Sequence, residues 1–383
     1  MREEFLPFSP PDIGEDEIQE VVAALRSGWI TSGPRVKRFE RDFAETMGAP
    51  GALALSSCTA ALHLALVLHE VGPGDEVITT PMTFCSTVSV IEHVGARPVL
   101  VDVEPDTLNI SPAAVAAAVT EQTRAILPVH YAGHPVDLDP IEDLADRHGL
   151  VVVEDAAHAL PARYRGRMIG SGRNLVAFSF YATKNLTTAE GGMLTGDPDL
   201  LERGAVLALH GMNREAWQRY DKGGSWYYEV VLPGFKYNLT DIQAALGLVQ
   251  LQRLGQMQER RREIVAQYRH AFADLEALEL PTERPEVDSA WHLFPVRLRL
   301  EALPQGLDRE GFIAAMTERN IGTSVHFIPI HLHPYFRDRY EWRPEDFPVA
   351  YGAYQRLVSL PLNSVMSDED VQDVVEAVRE IVS

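Results

Sequence analysis

Leu150-Val151-Val152-Val153-Glu154-Asp155-Ala156-Ala157-His158 is the stretch from which the fold is read. A continuous β-branched apolar run, with no polar alternation, is the pattern of a strand buried on both faces of a sheet. We expect a strand over Leu150–Glu154. Six similar runs flank it: Ala52–Leu55, Glu76–Thr79, Pro98–Asp102, Ala125–Val129, Leu175–Phe180 and Gly192–Thr195. Helix-like stretches stand between several of them, at Thr59–Leu68, Thr87–His93, Pro112–Val119 and Pro140–His148. This alternation predicts an α/β fold with a mostly parallel seven-stranded sheet covered by helices on both sides.

The texture changes after residue 240. Asp241 to Gln267 reads as one long helix, carrying the charge run Glu259-Arg260-Arg261-Arg262-Glu263, expected on a solvated face. A strand-like Trp291–Leu300, a helix near Arg309–Arg319 and a closing helix Asp368–Val382 suggest a smaller α/β domain. We therefore expect an arm over 1–12, a large domain over 13–245 and a small C-terminal domain over 246–383.

Composition narrows the class. The chain has 383 residues and a formal charge of −21. Such a field repels phosphate polymers, so neither a nucleic-acid coat nor an anionic membrane surface is expected as partner. Cys58 and Cys85 form no disulfide framework and no zinc pattern. No targeting core or membrane span is read, so the expectation is a cytoplasmic enzyme.

Two phosphate fingerprints are missing. Gly170-Ser171-Gly172 lacks the third glycine of a dinucleotide loop, and no Gly-x-x-x-x-Gly-Lys-Ser/Thr occurs. In their place Ser56-Ser57-Cys58-Thr59-Ala60-Ala61-Leu62 follows a strand and opens a helix, where free N–H groups and the helix dipole favour an anion. Asp155 ends a buried strand, where open α/β sheets hold ligands, and Ala156 and Ala157 leave room for a flat ring. A carboxylate buried there calls for a cation, such as a protonated heterocyclic nitrogen. Lys184 lies between the apolar Phe178-Ser179-Phe180 and the turn Gly191-Gly192. Desolvation there would free its amine as a nucleophile. Singly, each has an ordinary explanation: helix caps at 56–59 and 155, and a loop lysine at 184. Together they are the parts pyridoxal phosphate requires: a phosphate cradle, an anion for the ring nitrogen and a lysine for the aldehyde.

On these motifs the chain resembles the DegT/DnrJ/EryC1/StrS sugar aminotransferases, pyridoxal-phosphate enzymes of the aspartate-aminotransferase fold (fold type I). The resemblance is carried by Gly28–Pro34, Gly74–Ile78, Pro128–Gly133, Glu154–His158, Phe178–Lys184 and Gly234–Ala245. Its narrower likeness is to enzymes aminating C4 of a UDP-4-keto sugar, such as the UDP-4-amino-4-deoxy-L-arabinose aminotransferase.

The resemblance implies a role for each matching residue. Lys184 would bind the cofactor aldehyde and carry the proton, Asp155 would pair with the ring nitrogen, and His158 would lie against the ring or near its phenolic oxygen. Phe84 would stack on the other ring face. Cys58, Thr59 and Ser179 would hold the phosphate. Lys236 and Asn238 would reach into the partner subunit's site, so a homodimer with shared active sites is implied. Substrate contacts would come from Trp29, Thr31, Ser32, Tyr237, His326 and His331. Apart from the resemblance, Trp29–Ser32 also reads as a plain turn, and the histidines 326, 331 and 333 as loop or substrate contact. Lacking a carboxylate or thiolate, those histidines make no metal pattern.

The implied reaction moves an amino group from glutamate, leaving 2-oxoglutarate, to a nucleotide-linked keto sugar, at C4 of a UDP- or TDP-4-keto sugar. The alternatives are 3-keto amination, a pyridoxal-phosphate sugar dehydratase and a non-catalytic homologue. Dehydratases of that kind replace the lysine, often with His, and Lys184 is present.

Overall fold

The computed structural model describes residues 2–213 and 227–383. Helices α1 (Glu15–Ser27) and α2 (Pro34–Met47) come first. Then follow β1 (Ala52–Leu55), α3 (Cys58–Leu68), β2 (Glu76–Thr79), α4 (Cys85–His93) and β3 (Arg97–Leu100). Next come α5 (Pro112–Ala118), β4 (Thr123–Ile126), α6 (Leu138–His148) and β5 (Val151–Asp155). A small hairpin, β6 (Arg163–Tyr164) and β7 (Arg167–Met168), precedes β8 (Leu175–Ser179), β9 (Gly192–Thr195) and α7 (Pro198–Ala208).

Seven strands form one sheet in the order β1-β9-β8-β5-β4-β2-β3. Strand β9 runs antiparallel to both its neighbours, and the β8-β5-β4-β2-β3 pairs are all parallel. The expected α/β class and mostly parallel sheet are what the chain adopts. The two-residue period sorts the side chains cleanly. Ala54, Ile78, Ile126, Val152, Val176 and Phe178 face a core made with α2, α5 and α6. Leu53, Leu55, Val77, Ala125, Val153 and Ala177 face a second core around α3. Helix α3 is buried nearly all round, which is why its sequence is apolar on every face.

The long helix α8 (Asp241–Ala271) joins this sheet to a separate core. Ala244, Leu248, Leu251 and Leu254 pack with the large sheet, whereas Ile264, Val265 and Tyr268 pack with Phe294, Phe312 and the closing helix Asp368–Val382. A three-stranded sheet of Leu278–Glu279, Phe294–Leu298 and Leu357–Leu360 lines that second core. Among the described residues no helix is long and apolar enough to cross a membrane.

Several expectations need correction. The strand predicted over Trp291–Leu300 is confined to Phe294–Leu298. Trp291 has φ +45°, and the amides of Ala290 and Leu293 bond back to Gly133 and Ala132 instead of to a neighbouring strand. Arg261 is not on a solvated face. It is buried, with Nη1 donating to the Leu362 carbonyl at 2.8 Å. Helices α1, α2 and α7 and the strand Leu357–Leu360 had no counterpart in the reading of the sequence.

Candidate active site

The site lies where the carboxyl ends of β5 and β8 meet the start of α3. Ser57 caps α3, its Oγ accepting from the Ala60 amide at 3.0 Å. By helix geometry the Cys58 and Thr59 amides have no acceptor within the helix. Gly192, the first residue of β9, lies directly against this turn. A Cβ there would fall 2.5 Å from the Ser57 carbonyl carbon and 2.6 Å from the Cys58 nitrogen. Only glycine lets the strand approach so closely.

Asp155 is the last residue of β5 and is 4% exposed. Its Oδ1 accepts from the Ala157 amide at 3.1 Å, and its Oδ2 from the Thr87 hydroxyl at 2.8 Å. The Cys58 thiol is 3.9 Å from Oδ1. Burial raises the Asp155 carboxyl's proton affinity, and these donors with the Lys184 cation oppose that rise. Burial likewise pushes the Cys58 thiol well above its ordinary range. Lys184 sits in the turn after β8, its amide bonded to the Tyr181 carbonyl. Desolvation brings its amine down to about 8, against the upward pull of Cys58 and Asp155. The lysine cation and the aspartate carboxylate thus favour each other's charged forms.

His158 is buried and held well below its ordinary range, first by desolvation and then by the Lys184 cation. Its Nδ1 is buried without a hydrogen-bond partner among the described residues. Its ring is near-parallel to Phe327, at 5.6 Å and 18°. Phe327 is also 6.3 Å from Phe84, whose side chain is 61% exposed at the N-cap of α4. Ser179 closes β8, level with Gly192.

Segment 235–238 runs beside the end of β1, with Asn238 bridging Leu55 and the Tyr237 carbonyl accepting from the Ser56 amide. Here the side chains alternate. Lys236 donates to Asn238 Oδ1, whereas Tyr237 turns its hydroxyl to His63 Nδ1, 3.2 Å away on α3. Asn238 Nδ2 donates to Ser32 Oγ at 2.7 Å, Ser32 Oγ donates to the Leu239 carbonyl, and the Thr31 carbonyl accepts from the Asp241 amide. The loop bearing Trp29, Thr31 and Ser32 is thereby stitched to the start of α8. His326 joins the cluster: burial and then the Lys184 cation depress it to about 4, and its Nδ1 faces Ser359 Oγ at 2.9 Å.

Tyr237 is thus turned toward α3, and His331 lies against Phe347. The His331 ring is wholly buried, 4.8 Å from that of Phe347. Sequence reasoning missed Thr83, Thr87 and Phe327. Two threonines flanking a helix start were a usable signal, because hydroxyls at that place bond to nearby groups rather than extend the helix. Phe327 offered none. It also missed the buried pair His130–Glu154, at 2.9 Å, which braces the strand end beside Asp155.

The donor set fits pyridoxal phosphate. A buried carboxylate suits a protonated ring nitrogen, an amine lowered to about 8 suits an aldehyde, and a capped helix start suits a phosphate. The unpartnered His158 nitrogen is a buried polar atom that a ligand group would satisfy. No cluster able to hold a metal ion occurs among the described residues.

Comparison with known proteins agrees. The family model of the DegT/DnrJ/EryC1/StrS aminotransferase family matches residues 11–379. The chain is 52% identical over 383 residues to the spore coat polysaccharide biosynthesis protein SpsC of Bacillus subtilis, covering 100% of this chain and 98% of SpsC. It is similar in structure to Spr1654 of Streptococcus pneumoniae in its PMP form, with TM-score 0.91, 37% identity, and 98% and 99% of the two chains covered. Spr1654 is also known in a PLP form. The sugar aminotransferase CalS13 of Micromonospora echinospora superposes with TM-score 0.87 at 31% identity, over 98% of this chain and 99% of that one.

Proposed function

The chain belongs to the DegT/DnrJ/EryC1/StrS aminotransferase family, and from that premise we propose that it carries an amino group from glutamate to C4 of a UDP- or TDP-linked 4-keto sugar. It is a pyridoxal-phosphate-dependent sugar aminotransferase. The observation that carries the reading is the desolvated Lys184 beside the buried Asp155 at the carboxyl edge of the sheet. The identity to SpsC, a protein named for polysaccharide biosynthesis, supports a sugar acceptor.

Pyridoxal phosphate, when bound, supplies an aldehyde that takes up the amino group and a ring that disperses the electron pair left on carbon. The chain's own residues do the rest. In our assignment the Cys58 and Thr59 amides and the Ser179 hydroxyl hold the phosphate at the positive end of α3. Asp155 stays ionised and fixes the ring by its nitrogen. Phe84 and His158 hold the ring faces. The neutral Lys184 amine takes a proton at Nζ and delivers it again within each half-reaction. His158, kept neutral by burial, adds no second positive charge beside that amine.

Ser32 and His326 line the approach for substrate, with Trp29 and Thr31 on the loop tied to α8. Lys236 and Asn238 serve a second copy's site in a homodimer. Ile30, Phe84, Tyr181, Val230 and Val231 are exposed apolar residues on segments around the site, and they support burial against that copy. We take 1–12 as an arm, 13–245 as the cofactor domain and 246–383 as the small domain.

Absorption spectroscopy tests the reading. Purified protein reconstituted with pyridoxal phosphate should show a visible band that glutamate bleaches and a nucleotide 4-keto sugar restores. A band that ignores glutamate would overturn the donor. Restoration by a 3-keto sugar alone would overturn C4.

A further inference from the structure

We propose that Thr83 and Thr87 form a directed hydroxyl relay that keeps Asp155 an anion toward the cofactor's ring nitrogen, making Thr87 a positioning residue for transamination. The proposal rests on the assignment of Asp155 to that nitrogen. Thr87 Oγ1 lies 2.8 Å from Asp155 Oδ2, and the Thr83 and Thr87 hydroxyls are 2.7 Å apart. All three residues are buried, at 2%, 0% and 4% exposure for Thr83, Thr87 and Asp155. A hydroxyl carries one proton. An ionised carboxylate carries none, so Thr87 donates to Asp155 and Thr83 must donate to Thr87. The direction of the relay follows from counting protons.

The relay acts on a group that needs it. Burial alone drives Asp155 toward its neutral form. Against that stand Thr87, the Ala157 amide, the Lys184 cation and, more weakly, His130; the Cys58 thiol faces the same carboxylate. Lys184 gives up its charge whenever its amine acts as nucleophile, and its help then lapses. The threonine hydroxyls are neutral donors and persist through both half-reactions. Without them the carboxylate binds a proton more tightly, and the proton shared with the ring nitrogen moves to Asp155. The ring then loses the positive charge that makes it an electron sink. Both threonines flank the N-cap of α4, which is Phe84, so one helix start sets the ring's stacking residue and its charge partner together.

The test is the ¹⁵N resonance of ring-labelled pyridoxal phosphate bound to the whole protein. The native protein should give the signal of a protonated ring. Thr87→Val, which keeps shape and loses the donor, should shift the proton equilibrium by about ten- to a hundredfold toward neutral nitrogen, the range of one hydrogen bond to a charged group. Thr87→Ser should restore the native signal. Thr83→Val should move it the same way by less, and it carries the test if Thr87→Val does not fold. A merely structural threonine would alter stability and leave the resonance in place. A native resonance in Thr87→Val, alongside its loss in Asp155→Asn, overturns the relay and leaves the aspartate's role standing. A native resonance in Asp155→Asn overturns the assignment beneath it.

Discussion

An ordinary lysine is almost wholly protonated at neutral pH and so is no nucleophile. Desolvation brings Lys184 to about 8, leaving roughly a tenth of it neutral at pH 7. The sign follows: the reactive form grows as pH rises through 8 and is nearly complete above it. The rate at which cofactor-free protein captures pyridoxal phosphate should therefore fall about tenfold per pH unit below 8 and level off above it. Stopped-flow absorbance checks this, and a flat profile between pH 6 and pH 9 would count against the desolvated amine. Lys184→Ala should fold, lose turnover by several orders of magnitude and carry no borohydride-fixed cofactor on peptide mapping. Lys184 and Asp155 were legible because a lysine before a glycine turn and an acid at a strand end are costly unless used. Arg261 was not legible. A charge run looks uniform in sequence, yet at about 100° per residue one member turns inward. Here that member reaches the Leu362 carbonyl at the junction of the two cores.

At the level of elements, the meeting of β9 with the start of α3 is fixed by the absence of a single side chain. Gly192→Ala pushes a methyl into the Ser57–Cys58 peptide, with contacts at 2.5 and 2.6 Å that backbone cannot relieve as a flexible side chain can. The expected cost is about 1–3 kcal/mol of stability, seen as a lowered Tm, together with weaker cofactor retention on dialysis. Native retention with an unchanged Tm would mean that the turn gives way freely. The glycine was visible in sequence, but its reason was not, because the contact joins residues far apart in the chain. The strand cores of the large sheet were readable from continuous apolar runs. Their ends were set by pairing that no local pattern reports. Val129 meets Asp155 through an isolated bridge beyond the end of β4, and the predicted strand around Trp291 breaks where the Ala290 and Leu293 amides bond to Gly133 and Ala132. The amphipathic α2 carried signals at both ends, Pro34 at its first turn and Gly48 after its last.

At the scale of the whole molecule, α8 binds the two cores into one body, and segment 235–238 leads into it directly from the cradle. Lys236 is exposed there while Tyr237 turns inward to His63. This places the lysine where a second copy can meet it. If each site takes Lys184 from one chain and Lys236 with Asn238 from the other, two defective variants will repair each other. Mix a Lys184→Ala chain with a chain carrying Lys236→Ala and Asn238→Ala, and let the subunits exchange. Every heterodimer then has one doubly damaged site and one in which both contributions are native. Random exchange makes half the dimers mixed, so activity should recover to roughly a quarter of native from two nearly inactive parents. Sites built within single chains contain no native combination in any mixture, and their activity stays at the average of the parents. Turnover measured before and after exchange therefore separates a shared cleft from two self-contained ones, whatever sugar the enzyme takes.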